Sequence, residues 1–255
     1  YVHDSENNFS LTSSTINCLI YSDCFGLLAG TENGICRYVP EKDIFASWFS
    51  EVTGGENVRT FFEEPDSTLW IGTNSGLYRV DAAGDEIINY NMSNSGVSHN
   101  IVRAIYADDR YVFVATFDGV SRMEKSTGKW INLNLKKYYI KLPQNNLVLS
   151  ILQSPWDMDV LYIGMQTGFC VLDKNTMEYS VHDMSSDRNM CNNTVKTICQ
   201  VKDELWLGTE EGVMIYRDGG FSSFGYDPDN LHSLPNNIVW QVYKDRNDIV
   251  WLATE

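Results

Sequence analysis

The stretch Leu69-Trp70-Ile71-Gly72-Thr73-Asn74-Ser75-Gly76-Leu77 decides the fold, because close variants of it recur along the chain. The copies occupy residues 27–35, 69–77, 112–120, 161–169 and 205–213, and a sixth begins at residue 250. Their second glycines are Gly34, Gly76, Gly119, Gly168 and Gly212, at steps of 42, 43, 49 and 44 residues. A repeat in the forties with alternating apolar residues and frequent turns is typical of propeller blades.

Each repeat is predicted to form four short antiparallel strands. The first alternates apolar and polar residues, as in Ile101–Tyr106, and the second is the segment equivalent to Leu69–Gly72. That second strand ends on glycine or alanine in every copy, and a bulky ring precedes the small residue in five of six. The ring would fill the space between neighbouring blades, and the small residue would admit a neighbouring backbone. The glycine of the following turn is expected at positive φ.

The fold class predicted is therefore an all-β propeller of four-stranded antiparallel blades. Five complete blades are flanked by partial ones at both ends, as in a slice of a seven-bladed propeller. We assign the propeller to residues 1–255, with blades at 14–50, 56–91, 100–133, 146–182 and 193–226 and a partial blade at 237–255.

Composition excludes some partners. The net charge is −15 and the isoelectric point is near 4.6, so direct contact with nucleic acid is not expected of this segment. No apolar run approaches the roughly 18 residues that a membrane helix requires. The six cysteines form no metal-binding spacing; we expect small buried thiols, with one disulfide as the alternative and Cys191 as its most accessible candidate.

Catalytic motifs are missing from the sequence. Carboxylates in the second turns could form an acid/base pair of the glycosidase type: Glu32, Asp118, Glu210 and Glu211. Their repetition at one phase is better explained by exposed hairpin tips. We therefore expect no catalytic residue, no cofactor and no metal site.

The repeat resembles a known family. The pattern NNxVxxIxxDxxxxLWxGTxxGL is similar to the two-component regulator propeller repeat, most clearly at residues 233–254 and 205–213. The resemblance implies a periplasmic input region of a hybrid sensor histidine kinase of Bacteroidetes, which detects oligosaccharides released from complex glycans. It also implies that the parent protein provides the membrane attachment and the output domains; we expect that parent to be a homodimer.

Two sets of residues are candidates for ligand binding. The first lies in the longest insertion, where tyrosines would stack on sugar rings and lysines would pair with uronate or sulfate groups: Lys136, Lys137, Tyr138, Tyr139 and Lys141. The second set follows the first apolar residue of a first strand: Arg59, Arg103, Lys196 and Trp240, with Asn17 and Leu149 at the same phase in other repeats. The first set predicts an acidic ligand. The alternatives are a loop that packs against another domain, and edge residues that are merely solvated.

Two other functional classes remain open at this point. The propeller face could bind a protein, or the chain could be a propeller enzyme such as a polysaccharide or streptogramin-type lyase. The interblade loops are long and rich in Asn, Ser and Asp, which suits hydrogen bonding to sugar hydroxyls. Asparagine before a strand is also ordinary turn chemistry.

Overall fold

The computed structural model describes residues 1–7, 9–135 and 146–255. Strands dominate the described chain, and the insertion candidates Lys136, Lys137, Tyr138, Tyr139 and Lys141 lie outside it. The chain divides into two compact units, Tyr1–Leu133 and Asn134–Glu255.

The first unit contains three four-stranded antiparallel sheets, in each of which consecutive strands pair. The first sheet is formed by β1 (Ile16–Ser22), β2 (Gly26–Thr31), β3 (Gly34–Val39) and β4 (Ile44–Trp48). The second is formed by β5 (Val58–Glu63), β6 (Leu69–Thr73), β7 (Leu77–Val80) and β8 (Ile87–Tyr90). The third is formed by β9 (Val102–Ala107), β10 (Tyr111–Thr116), β11 (Gly119–Glu124) and β12 (Lys129–Leu133). A short helix, α1 (Ser50–Thr53), joins the first sheet to the second and has no counterpart in the sequence prediction.

The second unit contains two four-stranded sheets and one two-stranded sheet, again antiparallel. One sheet is formed by β13 (Val148–Gln153), β14 (Val160–Met165), β15 (Gly168–Asp173) and β16 (Tyr179–His182). The next is formed by β17 (Thr197–Val201), β18 (Glu204–Gly208), β19 (Val213–Arg217) and β20 (Gly220–Phe224). The pair β21 (Val239–Lys244) and β22 (Val250–Thr254) follows. The all-β class with four-stranded antiparallel sheets is confirmed, whereas the number of blades in a complete ring stays a prediction.

The hydrophobic cores lie between successive sheets within each unit. In the first unit, Trp70 of β6 packs in one cluster with Val102 and Val112 of the third sheet. In the second unit, Phe169 of β15 shares a cluster with Leu207 of β18. The middle strands of each sheet are accordingly the most deeply buried, because neighbouring chain covers both of their faces.

The small residue at the end of a second strand receives a side chain from the next sheet. A Cβ added to Gly72 would lie 2.6 Å from Cγ1 of Val102, which opens the next first strand. The same relationship joins three further pairs: Gly30 with Val58, Gly164 with Val195, and Gly208 with Val239. The small position therefore admits a valine side chain in all four pairs, whereas the predicted approach of a neighbouring backbone is seen only at the carbonyl oxygens of Val195 and Val239.

The predicted ring filling is seen at Trp70 and Phe113, which are fully buried. Trp206 is half-buried, and Trp251 of the two-stranded sheet is 58% exposed.

All six cysteines are free thiols. Cys36 and Cys170 are buried, as expected of small thiols in strands. Cys24 is exposed whereas Cys191 is half-buried, so the expectation that Cys191 is the most accessible thiol is wrong. The loop that holds Cys191 folds back, and its Sγ lies 3.5 Å from the carbonyl oxygen of Glu211.

Candidate functional site

A β-bulge occurs near the start of the first strand in nearly every sheet. In β5, Val58 pairs with Thr73 and Thr60 pairs with Gly72, so Arg59 is left out of the register. The residues left out in the other bulged strands are Asn17, Arg103, Leu149 and Trp240. A bulge redirects the side chain of its extra residue and is frequent beside functional sites. The sequence-derived phase of the second candidate set therefore coincides with a structural irregularity.

Lys196 occupies the equivalent position in the remaining sheet. Its backbone N–H donates to the carbonyl oxygen of Gly208 at 2.8 Å, although Thr197 is the residue registered opposite Gly208. Lys196 and Thr197 thus both lie opposite Gly208, as two residues lie opposite one in the bulged strands. We call the end of each sheet that carries this position the bulge end.

The turn between the second and third strands lies at the same bulge end. Its backbone is closed by a buried threonine, as in the second sheet, where Thr73 Oγ1 donates to the carbonyl oxygen of Gly76 at 3.1 Å. Gly76 has a φ of 128°, which confirms the predicted positive φ. The next turn residue, Asn74, donates its N–H to the carbonyl oxygen of Asn57, two residues before Arg59. Turn and bulge are therefore held together.

Arg59 is half-buried and contacts the turn of its own sheet. Its Nε donates to Oδ1 of Asn74 at 2.5 Å. Burial lowers the pKa of the Arg59 guanidinium, and the negative charge of Glu32 opposes that effect. Asn17 lies on the neighbouring side, where its Nδ2 donates to Oδ1 of Asn57 at 3.0 Å. The second bulge end is thus lined by amides, a guanidinium and a nearby carboxylate.

Arg103 differs from Arg59 in lacking a partner. The turn position that holds Asn74 in the second sheet holds Phe117 in the third, and a phenyl ring accepts no conventional hydrogen bond from a guanidinium. Within the described chain, Arg103 has neither a hydrogen bond nor an ion pair from its side chain. Burial lowers the pKa of Arg103, and the positive charge of Arg59 lowers it further.

In the second unit the bulge positions of adjacent sheets are in direct contact. Nζ of Lys196 lies 4.2 Å from the ring centroid of Trp240 and 3.0 Å from Oε1 of Glu210. The Lys196 side chain is 14% exposed, whereas Trp240 is 53% exposed. The ring therefore presents one face to the lysine and keeps accessible surface for a ligand. Leu149, the remaining bulge residue, is half-buried.

The asparagines that end the interblade loops have a structural role. Asn100 Oδ1 accepts the N–H of Met92, and Asn237 Oδ1 accepts the N–H of Tyr226. Asn146 and Asn193 do the same for Leu135 and Met184. These four carboxamide oxygens hold each loop against the start of the next strand. Ordinary turn chemistry therefore explains these asparagines.

Cavities also lie among the described residues outside the two candidate sets. One of about 330 Å³ is lined by aromatic and charged side chains of the second unit: Trp156, Tyr162, Tyr216, Arg217, Asp203 and Asp218. Trp156 is half exposed and comes from the turn at residues 154–159, whose departure from the repeat pattern was the available signal. Another, of about 400 Å³, is lined by the loop after β20, including Tyr226, Asp227 and His232.

Among the turn carboxylates, Glu210 forms an ion pair with Lys196, whose Nζ lies 3.0 Å from its Oε1. In the described ranges, no three His, Cys, Asp or Glu side chains are arranged so that they could hold a metal ion. The described residues also contain no helix with the length and apolarity needed to cross a membrane.

Known proteins resemble this chain in sequence and in architecture. Residues 233–255 match the family model described as the two component regulator propeller. An extracellular domain described as that of a hybrid two-component system, BT4673 of B. thetaiotaomicron, is 24% identical, with 98% of this chain and 33% of that chain covered and a TM-score of 0.82. The corresponding domain of BT3049 of B. thetaiotaomicron is 22% identical, with 96% and 33% covered and a TM-score of 0.80.

A virginiamycin B lyase from Staphylococcus aureus is more distant, at 12% identity, 94% and 84% coverage and a TM-score of 0.66. This chain spans about a third of the two B. thetaiotaomicron chains. Among the curated proteins, none matches it. The structural similarities establish a β-propeller fold, and residues 233–255 are similar to a two-component regulator propeller repeat.

Proposed function

We propose that this chain, which carries a two-component regulator propeller repeat, is a non-catalytic ligand-sensing propeller that binds a glycan-derived oligosaccharide. The observation that carries the proposal is the recurrence of polar, cationic or aromatic side chains at the bulge position: Asn17, Arg59, Arg103, Lys196 and Trp240. A structural bulge alone does not require such side chains, since Leu149 occupies the same position.

The chemistry of these side chains suits a sugar ligand. Carboxamides and guanidinium groups donate directed hydrogen bonds to hydroxyl oxygens, and an indole face packs on the C–H face of a pyranose. Trp240 is more than half exposed while its ring is positioned by Lys196, so it needs little reordering on binding. Preorganised side chains on strands favour a defined ligand orientation.

The same contacts support the proposal of sensing without turnover. A glycosidase or lyase needs a general acid or base with access to the substrate, and an ion pair with Lys196 already engages Glu210. The distant structural similarity to a lyase concerns the fold and supplies no reacting group to this chain.

The cellular context forms part of the proposal. The chain would be an extracytoplasmic, periplasmic portion of a larger inner-membrane sensor, whose kinase and output domains lie in other parts of that protein. The similarity to extracellular domains described as parts of two-component systems supports this placement. We also propose that the parent sensor acts as a homodimer and that the segment makes no direct nucleic-acid contact, in keeping with its charge of −15.

A calorimetric panel tests the function. The chain is titrated with oligosaccharides from neutral and acidic plant and host glycans, and each mixture is then analysed by chromatography for degradation products. We expect saturable binding of at least one oligosaccharide with no product. Turnover that is lost in Glu32→Gln or Glu211→Gln would establish a lyase or hydrolase instead, and no binding across the panel would favour a protein-binding scaffold.

A further inference from the structure

The arginine pair of the first unit has chemistry that sugar hydroxyls alone do not explain. Arg103 is half-buried and, among the described residues, its side chain has no hydrogen-bond or ion-pair partner. The other half-buried or buried arginines in the described ranges all have polar or aromatic contacts: Arg59, Arg79 and Arg122. An unpaired guanidinium in this environment costs stability unless something compensates for it.

The position of Arg103 next to Arg59 adds to that cost. Two like charges raise each other's free energy, and the effect appears as the lowered pKa of Arg103 in the presence of the Arg59 charge. Glu32 raises the pKa of Arg59, whereas the charge that acts on Arg103 is that of Arg59, which lowers its pKa. The local positive charge is also set against a chain with a net charge of −15.

The guanidinium of Arg103 remains within reach of solvent. The fully buried polar side-chain atoms that lack a partner in the described chain are Asn89 Nδ2 and Ser150 Oγ, and no atom of Arg103 is among them. The β9 bulge directs this side chain out of the strand register, and Phe117 in the adjoining turn removes the polar partner that Asn74 gives to Arg59. The unused donors are therefore accessible to solvent.

We propose that Arg103, assisted by Arg59, binds the oxyanion of an acidic sugar, either a uronate carboxylate or a sulfate ester. The inference rests on the proposed oligosaccharide ligand and assigns its charged group to the bulge ends of the second and third sheets. A guanidinium presents parallel N–H groups that match both oxyanions, and both sources would neutralise the same positive pair. Asn17 and Asn74 flank the pair as neutral donors and acceptors that can serve adjacent hydroxyls.

Matched substitutions test this assignment. Arg103→Gln removes the charge at the bulge end, and Arg110→Gln removes one charge at the opposite end of the same sheet, in the turn before β10. Calorimetry at constant ionic strength compares three disaccharides that differ at one position only. That position carries a uronate carboxylate in the first, a sulfate ester in the second and a neutral hydroxyl group in the third. Arg103→Gln should weaken binding of an acidic disaccharide by about tenfold to a hundredfold, the range of one charge-assisted interaction. Binding of the neutral disaccharide should change by less than about threefold.

The Arg110→Gln variant should retain the affinity of the unaltered chain for all three sugars. Arg103→Gln should also keep or raise the melting temperature, because it removes an unpaired charge beside Arg59. Arg103→Lys should recover part of the affinity, since it restores the charge without the fork-shaped donor. The uronate and sulfate arms decide which oxyanion is preferred.

Several outcomes would overturn the assignment. An equal loss of affinity in Arg103→Gln and Arg110→Gln would show that only net charge matters. Equal affinity of the unaltered chain for neutral and acidic disaccharides would refute recognition of an oxyanion. The proposed sensing of oligosaccharides would not be affected by that result. If none of the sugars binds, the proposed function fails, and free glucuronate and inorganic sulfate then decide the anion site separately: an Arg103-dependent response supports it and no response refutes it.

Discussion

Nζ of Lys196 lies 4.2 Å from the ring centroid of Trp240, so the bulge residues of two adjacent sheets contact each other directly. The same ammonium group lies 3.0 Å from Oε1 of Glu210. One lysine thus joins the turn of its own sheet to the first strand of the next. Because the lysine is mostly buried and the indole is half exposed, the contact both stabilises the second unit and positions a ring for binding.

This contact should be measurable as a coupling energy. In a double-mutant cycle with Lys196→Met and Trp240→Leu, the free energies of unfolding should show a coupling of about 0.5–1 kcal/mol. Tyr243 provides the matched control, since it is exposed on the same strand β21 and pairs with Trp251, beyond the bulge. Coupling of Lys196→Met to Tyr243→Leu that equals its coupling to Trp240→Leu would contradict the assigned contact.

Gly72 should not tolerate a methyl group. A Cβ at this position would lie 2.6 Å from both Thr60 Cγ2 and Val102 Cγ1, so Gly72→Ala should destabilise the protein by about 1–3 kcal/mol through overpacking. Chemical denaturation gives the value. The double variant G72A/V102A should lose less stability than the two single losses added together. Val102→Ala vacates the space that the new methyl group at position 72 fills.

Gly220 is the control for that experiment. A Cβ there would meet only the Arg217 carbonyl oxygen at 3.7 Å, an ordinary contact. Gly220→Ala should therefore change the free energy of unfolding by less than about 0.5 kcal/mol. A larger loss at Gly220 than at Gly72 would refute the packing argument.

The thiols should differ strongly in reactivity. Burial raises the pKa of the Cys18 and Cys170 thiols to about 12, so almost no thiolate forms at pH 8. Cys24 is exposed and should react with iodoacetamide in the folded protein. Peptide mapping after labelling at pH 8 measures each site. Labelling of Cys18 or Cys170 as fast as Cys24 in native buffer would contradict the raised pKa of those thiols, and labelling of all three after denaturation confirms that the method detects them.

Glu64 and Lys125 should depend on each other for stability. Glu64 is nearly buried, accepts a hydrogen bond from Trp70 Nε1 at 2.6 Å and forms an ion pair with Lys125. Lys125→Met leaves that carboxylate without its countercharge and should cost about 2–4 kcal/mol at pH 7. The double variant K125M/E64Q should recover a substantial part, because a neutral amide still accepts from Trp70. Urea unfolding measures both, and a double variant less stable than Lys125→Met would contradict the electrostatic explanation.

Much of the fold follows from the sequence for identifiable reasons. The glycine at the small position of four second strands is required by a valine from the next sheet, and Gly76 is required by a φ that other residues rarely adopt. Both requirements act locally and recur from sheet to sheet, so they are visible as glycines at fixed positions of the sequence repeat. The helix α1 at Ser50–Thr53 does not recur, and its four residues carry no periodic pattern that would predict it.

The candidate site was only partly predictable. The phase of Arg59 and Arg103 marked a recurring position, but the bulge that redirects them depends on strand register, which the sequence does not display. The missing partner of Arg103 depends on Phe117, fourteen residues away in the chain and unremarkable until the turn is placed beside the bulge. Trp156 was overlooked because its turn breaks the repeat. The role assigned to Lys136 and its neighbours stays a prediction.

The most direct test of the central claim is hydrogen–deuterium exchange with and without a bound oligosaccharide. Binding at the bulge ends predicts slower amide exchange in the segments that hold the bulges and their turns, such as residues 57–60 and 102–104 in the first unit or 195–197 and 239–241 in the second. The opposite ends of the same sheets, such as residues 64–68 and 202–204, should exchange as in the free protein. Protection confined to those opposite ends, under conditions where calorimetry shows saturation, would contradict the claim that this propeller reads its ligand at the bulges.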